Sequence, residues 1–301
     1  MEQTTRRAVL TLGAGAALAA ALPAGAAHAA SHGGDGEVVR QLRALEREYG
    51  ARLGAYARDT ATGRTVQYRA DELFPMCSLF KTMAAAAVMR DLDRDGAFLA
   101  RRIHYTLDDV TAAGGGSVTV RPENIAGGLT VAELCSAAIA QSDNAAGNLL
   151  LRELGGPTAI TDFCRSLGDR TTRLDRWEPE LNSAEPSRVT DTTSPRAIGR
   201  TYGRLVLGDA LTPRHRELLT RWLLANTTSG ERFRAGLPVD WVIGDKTGSG
   251  SYGTSNNVGI AWPPGRPPVV LSVLTTRPEA SAPRADALVA KAAGTLAAAL
   301  S

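Results

Sequence analysis

Hydrophobic and polar positions follow two different periods along the chain, and the change of period marks its organisation. Val38, Val39, Leu42, Leu45 and Tyr49 fall on one face of a helix, which predicts a helix over Glu37–Tyr49 that stops at Gly50. Leu53–Tyr56 and Thr65–Tyr68 then read as two short strands, and Asp59-Thr60-Ala61-Thr62-Gly63 suits the turn of a hairpin between them. From about Phe74 to Arg232 the period is helical, as in Lys81–Leu92, Val131–Ala140 and Pro195–Leu207. Strand-like runs return at Trp241–Ile243, Asn257–Trp262 and Val269–Thr275, the last two punctuated by Pro263-Pro264-Gly265. Ala285–Leu300 closes the chain as an Ala-rich helix.

Strands and helices at both ends, with helices between, predict an α+β fold. Its core is expected to be a five-stranded antiparallel sheet built from both termini and flanked by helices. Residues 34–68 and 233–301 would form this α/β part, and residues 69–232 an inserted all-α domain.

The first residues follow neither pattern. Arg6 and Arg7 precede an apolar run from Ala8 to Leu22, and Ala27-His28-Ala29 has the small-x-small form of a cleavage site. The run is short and bounded by Pro23 and Gly25, which predicts a removable leader over residues 1–29 and no stable membrane anchor. Thr5-Arg6-Arg7 followed by Val9-Leu10 has the form of a twin-arginine export signal, which implies a secreted or extracytoplasmic protein.

Composition changes little in this picture. A chain that is 44% hydrophobic and 22% charged is ordinary globular material. A formal net charge of +3 is too small to argue for nucleic acid or an anionic membrane as partner. Three cysteines, Cys77, Cys135 and Cys164, make an odd set. A chain that folds before export meets a reducing compartment first, so no disulfide is expected. No Cys/His cluster has zinc spacing, and neither metal nor cofactor is expected.

Three short motifs carry candidate chemistry. In Ser78-Leu79-Phe80-Lys81, the offset puts a hydroxyl and an amine on one helix face, where the amine can help remove the hydroxyl proton. The helix start also supplies N–H groups for an oxyanion. Ser142-Asp143-Asn144 is a polar tripeptide leaving an apolar helix, which alone would be only a loop. Lys246-Thr247-Gly248-Ser249-Gly250 ends a strand-like run with glycines that let a substrate approach the backbone. Each motif is weak by itself. In this order they are the signature of class A β-lactamases and penicillin-binding proteins, and the mature chain resembles a class A β-lactamase throughout. Arg176-Trp177-Glu178-Pro179-Glu180-Leu181-Asn182 is similar to the omega loop of that family, and Asp191-Thr192-Thr193-Ser194-Pro195 to its exit.

The resemblance implies the β-lactamase/transpeptidase-like fold and a monomer that acts on small β-lactams. Penicillins are the expected substrates, with cephalosporins beside them. Ser78 would be acylated, and Glu178 would activate the water that releases the acyl group, with Asn182 helping to hold that water. Ser142 would relay a proton to the leaving nitrogen. Lys246, Thr247 and Ser249 would receive the substrate carboxylate beside Gly248, and Asn144 would hold the substrate's amide side group and touch Lys81. Whether Lys81 or Glu178 deprotonates Ser78 stays open at this level. Glu180 is expected to be structural or solvated. Arg176 and Asp191 match a pair that pins the loop.

Two departures from common family patterns matter. The arginine that often follows the Lys-Thr-Gly strand is absent from Tyr252-Gly253-Thr254-Ser255-Asn256, where Ser255 stands in its place. Arg232 is the expected substitute, with Arg234 as competitor. Cys77 has a counterpart in some carbapenem-hydrolysing members, where it is bridged to a cysteine at the position of Gly250, so no such bridge can form here. The chief rival, a DD-peptidase, lacks the Glu178–Asn182 loop, and a β-lactam sensor would carry a tether.

Overall fold

The computed structural model describes residues 26–300, with side chains from Gly36 onward. The predicted leader, residues 1–29, lies outside the residues whose side chains are described. Helix α1 (Ala26–Tyr49) leads into strands β1 (Arg52–Asp59) and β2 (Thr65–Tyr68). The hairpin turn forms where expected: Asp59 Oδ1 accepts from the Ala61 and Thr62 amides, and Gly63 takes a φ of 73°.

The middle of the chain supplies helices α2 (Phe80–Ala87), α3 (Val131–Ala140), α4 (Asn144–Leu154), α5 (Pro195–Val206) and α6 (Pro213–Leu224), with shorter turns between them. Helix α2 ends earlier than its apolar period suggested, because Val88–Leu92 continues it as a π-helical turn. Strands β3 (Val242–Ser249), β4 (Ser255–Trp262) and β5 (Val269–Thr276) and helix α7 (Asp286–Leu300) complete the fold.

The five strands form one antiparallel sheet in the order β2-β1-β5-β4-β3. The first strand of the chain thus pairs with the last, Arg52 opposite Thr276 through Asp59 opposite Val269. Strand β3 is longer than the Trp241–Ile243 run predicts, and it pairs with β4 from Val242 opposite Trp262 to Ser249 opposite Ser255. The reason is a run of polar residues, Asp245, Lys246 and Thr247, all buried. Polar side chains inside a sheet read as loop from sequence, since nothing local shows that other elements cover them.

Two apolar clusters lie on opposite faces of the sheet. One joins α1, the outer sheet face and α7 through Leu42, Leu53, Leu271, Val289 and Leu296. The other joins the central helices to the inner face through Phe74, Leu79, Met83, Leu150, Tyr202 and Ile260. Helix α5 packs on β1, β4 and β5 at that inner face. Among the described residues, no helix is long and apolar enough to cross a membrane. All three cysteines are buried and free.

Candidate active site

Ser78 sits in a 3-10 turn, Cys77–Leu79, that opens α2. The turn begins with Cys77 at a φ of 49°, a left-handed conformation uncommon for a side-chain-bearing residue. One turn later Lys81, fully buried, brings Nζ to 3.0 Å from Ser78 Oγ, as the three-residue offset requires. Lys81 Nζ also reaches the Ser142 carbonyl at 2.9 Å, Asn144 Oδ1 at 2.7 Å and Glu178 Oε1 at 2.9 Å. That carboxylate oxygen lies 3.4 Å from Ser78 Oγ.

The Ser142-Asp143-Asn144 loop is held by its middle residue. Asp143 caps α4 by accepting from the Ala146 amide, and it also accepts from the Val118 and Thr119 amides. Ser142 adopts a φ of 57°. Its carbonyl oxygen takes the Lys81 amine while its hydroxyl accepts from Lys246 Nζ at 3.0 Å. One residue therefore touches both buried lysines. Burial, and then the neighbouring charge of Lys81, drive the Lys246 amine well below the ordinary lysine pKa.

Lys246, Thr247, Gly248 and Ser249 are on β3 itself, beside the Ser78 turn. A side chain at Gly248 would put its Cβ 2.8 Å from the Met76 carbonyl oxygen, so only glycine lets the strand pass this close. A Cβ at Gly250 would stand 2.9 Å from Cys77 Sγ. Beneath the strand, Asp245 is buried and accepts from Asn226, Ser229 and Asn257, while burial pushes its pKa up.

The loop bearing Glu178 is tied at its ends and its middle. Asp191 Oδ2 accepts from Arg176 Nε at 2.5 Å, and Oδ1 from the Asp175 and Arg176 amides. Asn148 clamps the backbone of Glu178: its Nδ2 donates to the Glu178 carbonyl at 2.9 Å, and its Oδ1 accepts the Glu178 amide at 3.0 Å. Asn182 Nδ2 donates to Glu178 Oε2, and Asn182 Oδ1 is buried without a hydrogen-bond partner. Glu180 is exposed.

Arg232 is buried, and Nη2 donates to Ser249 Oγ at 2.6 Å. Nη1 donates to the Gly248 and Asn256 carbonyls, and Nε to Asp286 Oδ1 at 2.9 Å. Arg234, its competitor, instead donates to Ser229 and to the Leu224 and Ile243 carbonyls. Ser78, Ser142, Asn144, Asn182, Arg232, Thr247 and Ser249 line one cleft of about 270 Å³, together with Thr228 and Arg284.

Reading the sequence alone missed Asn148, Thr228, Asp286 and Arg284. Asn148 lies one turn beyond Asn144, on the same face of α4, and that spacing was the available signal. Thr228, hydrogen-bonded to Thr247 from outside any motif, left none, nor did Asp286 beside Arg232. Among the described residues, no group of three His, Cys, Asp or Glu side chains could hold a metal ion.

Comparison with known proteins agrees with this geometry. Residues 37–300 match the model of the Beta-lactamase enzyme family. A β-lactamase of Streptomyces lavendulae is 68% identical over 296 residues, 98% of this chain and 97% of its own length. The structure of the β-lactamase from Streptomyces albus G has a TM-score of 0.86 and 69% identity, covering 87% of this chain and 98% of that one. A mutant of the last common ancestor of Gram-negative bacteria class A β-lactamase has a TM-score of 0.82 and 49% identity, covering 87% and 98%. With the Ser78–Lys81 turn, the Ser142 loop and the Lys246 strand around one cleft, the chain belongs to the serine β-lactamases of class A, on their actinomycete side.

Proposed function

We propose that the chain opens the β-lactam ring of penicillins, and of cephalosporins, through an acyl-enzyme on Ser78, and so confers β-lactam resistance. The observation that carries this reading is the position of Glu178. One of its oxygens is 3.4 Å from the Ser78 hydroxyl, and the other accepts from Asn182. A carboxylate there serves both halves of the reaction.

In the first half Ser78 Oγ attacks the lactam carbonyl, with backbone amides of Ser78 and Ser249 receiving the oxyanion. Lys81 Nζ already has three oxygen acceptors besides Ser78 Oγ. In this arrangement the amine is a donor, which favours Glu178, directly or through water, as the base that takes the Ser78 proton. As the carbon–nitrogen bond breaks, the Ser142 hydroxyl passes a proton to the nitrogen and is resupplied from Lys246, 3.0 Å away. The depressed pKa of Lys246 suits it to give that proton up.

In the second half Glu178 takes a proton from water, the water attacks the ester, and Ser78 leaves with its proton restored. A water at this point would also satisfy the buried Asn182 Oδ1. Lys246, Thr247, Ser249 and Arg232 receive the substrate carboxylate, and Asn144 receives the amide side group. The two apolar clusters on opposite sheet faces support a division into an α/β part from both termini, residues 34–68 and 233–301, and a helical part between, residues 69–232. The twin-arginine form of residues 1–29 in the sequence supports action outside the cytoplasmic membrane.

The test is turnover of nitrocefin and benzylpenicillin by wild type, Ser78→Ala and Glu178→Ala. Wild type should turn over continuously, and Ser78→Ala should not acylate. Glu178→Ala should accumulate a covalent adduct visible by mass spectrometry, with kcat lower by about 10²–10⁴. A stoichiometric burst without turnover in the wild type would overturn the reading.

A further inference from the structure

Away from the active-site cleft, helix α5 carries Arg196, Arg200 and Arg204 at four-residue spacing. They form one stripe, with successive residues about 6 Å apart along the axis. The stripe is a ridge between two clefts. One, of about 550 Å³, opens between α5 and the β1–β2 hairpin, with Tyr56, Arg58 and Thr65 on its far wall. The other, of about 260 Å³, adds Arg170 and Arg196, with Asp71 and Asp169. Arg200 and Arg204 line both.

Five arginines thus face two aspartates, and both acids are already engaged. Asp71 is bound by Arg196 through two contacts at 2.7 and 2.8 Å. Asp169 is buried and accepts from the Thr171 and Thr172 amides and from the Thr172 and Thr201 hydroxyls. The side chains of Arg58, Arg170 and Arg200 are exposed and form no hydrogen bond or ion pair with the described residues. Arg204 donates only to the Leu167 carbonyl. Tyr56, fully buried in the wall of the larger cleft, has a hydroxyl with no partner. The five guanidinium groups outnumber the two carboxylates, which also act on Arg196 and Arg200, and the excess positive charge makes a local field that an oxyanion relieves, with Arg forks matched to phosphate oxygens.

We propose that this ridge and its two clefts bind a linear polyanion of phosphate groups, at a site separate from the β-lactam cleft. The stripe spans about 12 Å from Arg196 to Arg204, more than one phosphate can engage. The shared arginines between two clefts fit a ligand that crosses the ridge. Nucleic acid fits less well, because the lining has no exposed aromatic ring on which a base could stack. The formal net charge of the whole chain, only +3, conceals the patch by averaging it with acidic regions elsewhere.

The test is fluorescence anisotropy of labelled inorganic polyphosphate with the full protein. Wild type should bind with an affinity that falls steeply as salt rises. The double variant Arg58→Glu, Arg200→Glu should bind at least about tenfold more weakly. A control with Arg40→Glu and Arg221→Glu, two exposed arginines of other helices, should change affinity less than about twofold, and nitrocefin turnover should be the same in all three. Equal weakening by the control pair would overturn the proposal as diffuse electrostatics. Competition by orthophosphate as effective, phosphate for phosphate, as by the polymer would overturn the linear ligand. Tighter binding of single-stranded DNA than of polyphosphate would overturn its chemical class.

Discussion

The two faces of the sheet solve different problems with the same strands. On the outer face, α1 and α7 cover Leu53, Ala55, Leu271 and Val273 with Leu42, Val289 and Leu296, and the cluster is apolar throughout. On the inner side the strands meet the helices around Ser78, and there Lys81, Glu178, Asp191 and Lys246 are all buried. An apolar face stabilises by area removed from water and tolerates small shifts. A buried cluster of charges is stable only when each member keeps its partner and its place. Both faces support the fold through apolar clusters, but only the inner side also gives up stability to hold buried charged groups beside Ser78.

The sharpest way to break the comparison is to remove a partner on the inner side. Asp191→Ala leaves two backbone amides without their acceptor and removes one partner of Arg176, which keeps Ser183 and Glu185, at a cost of about 3 kcal/mol. Denaturant unfolding should register that loss. Because the loop carrying Glu178 is freed, release of the acyl group should slow more than its formation, which pre-steady-state kinetics would resolve. If only stability changes, the Asp191 anchor does not position Glu178.

A truncation on the outer face should do the opposite. Leu296→Ala opens a cavity in a fully buried position of α7 and should cost about 3 kcal/mol in chemical denaturation. At temperatures where the variant remains folded, kcat should stay within about twofold of wild type, since the site is across the sheet. An equal fall in kcat would mean that the two faces are coupled.

The smallest expected effect is a displaced pH limb. Burial and the charge of Lys81 lower the pKa of Lys246, so its proton is lost earlier as pH rises than from a free lysine. The kcat/KM for a carboxylate-bearing β-lactam should accordingly fall on the alkaline side below the ordinary lysine range. Lys246→Arg keeps the charge and should move that limb upward. A limb that stays in place would assign it to another group.

The same contrast explains which elements were legible in advance. Helix α3 was delimited correctly because Val131–Ala140 has a clean apolar period, and Thr130 and Glu133 cap it with a reciprocal pair. Strand β3 was cut short at Ile243 because Asp245, Lys246 and Thr247 obey no apolar rule; their partners lie outside the strand, Asn226, Ser229 and Asn257 for Asp245, Ser142 for Lys246 and Thr228 for Thr247. Ser78, Lys81, Ser142, Glu178, Asn182 and Lys246 were singled out by motif, and the structure brings them together around one cleft. Arg232 was preferred to Arg234 by family resemblance and spacing, and its contact with Ser249 depends on how the segment before β3 folds back.

The sequence by itself determined the local quantities: helical and strand period, turn and cap chemistry, and which side chains were candidates for the chemistry. It also pointed to an antiparallel sheet closed by both termini, as the simplest arrangement of strands and helices at the two ends. Only the tertiary structure decided how the motifs converge. Ser142 joins Lys81 to Lys246, Asn148 grips the backbone of Glu178, and Asp286 holds Arg232. Those contacts link residues tens of positions apart, and their strength comes from exclusion of water, which is a property of the packed chain and of no single segment.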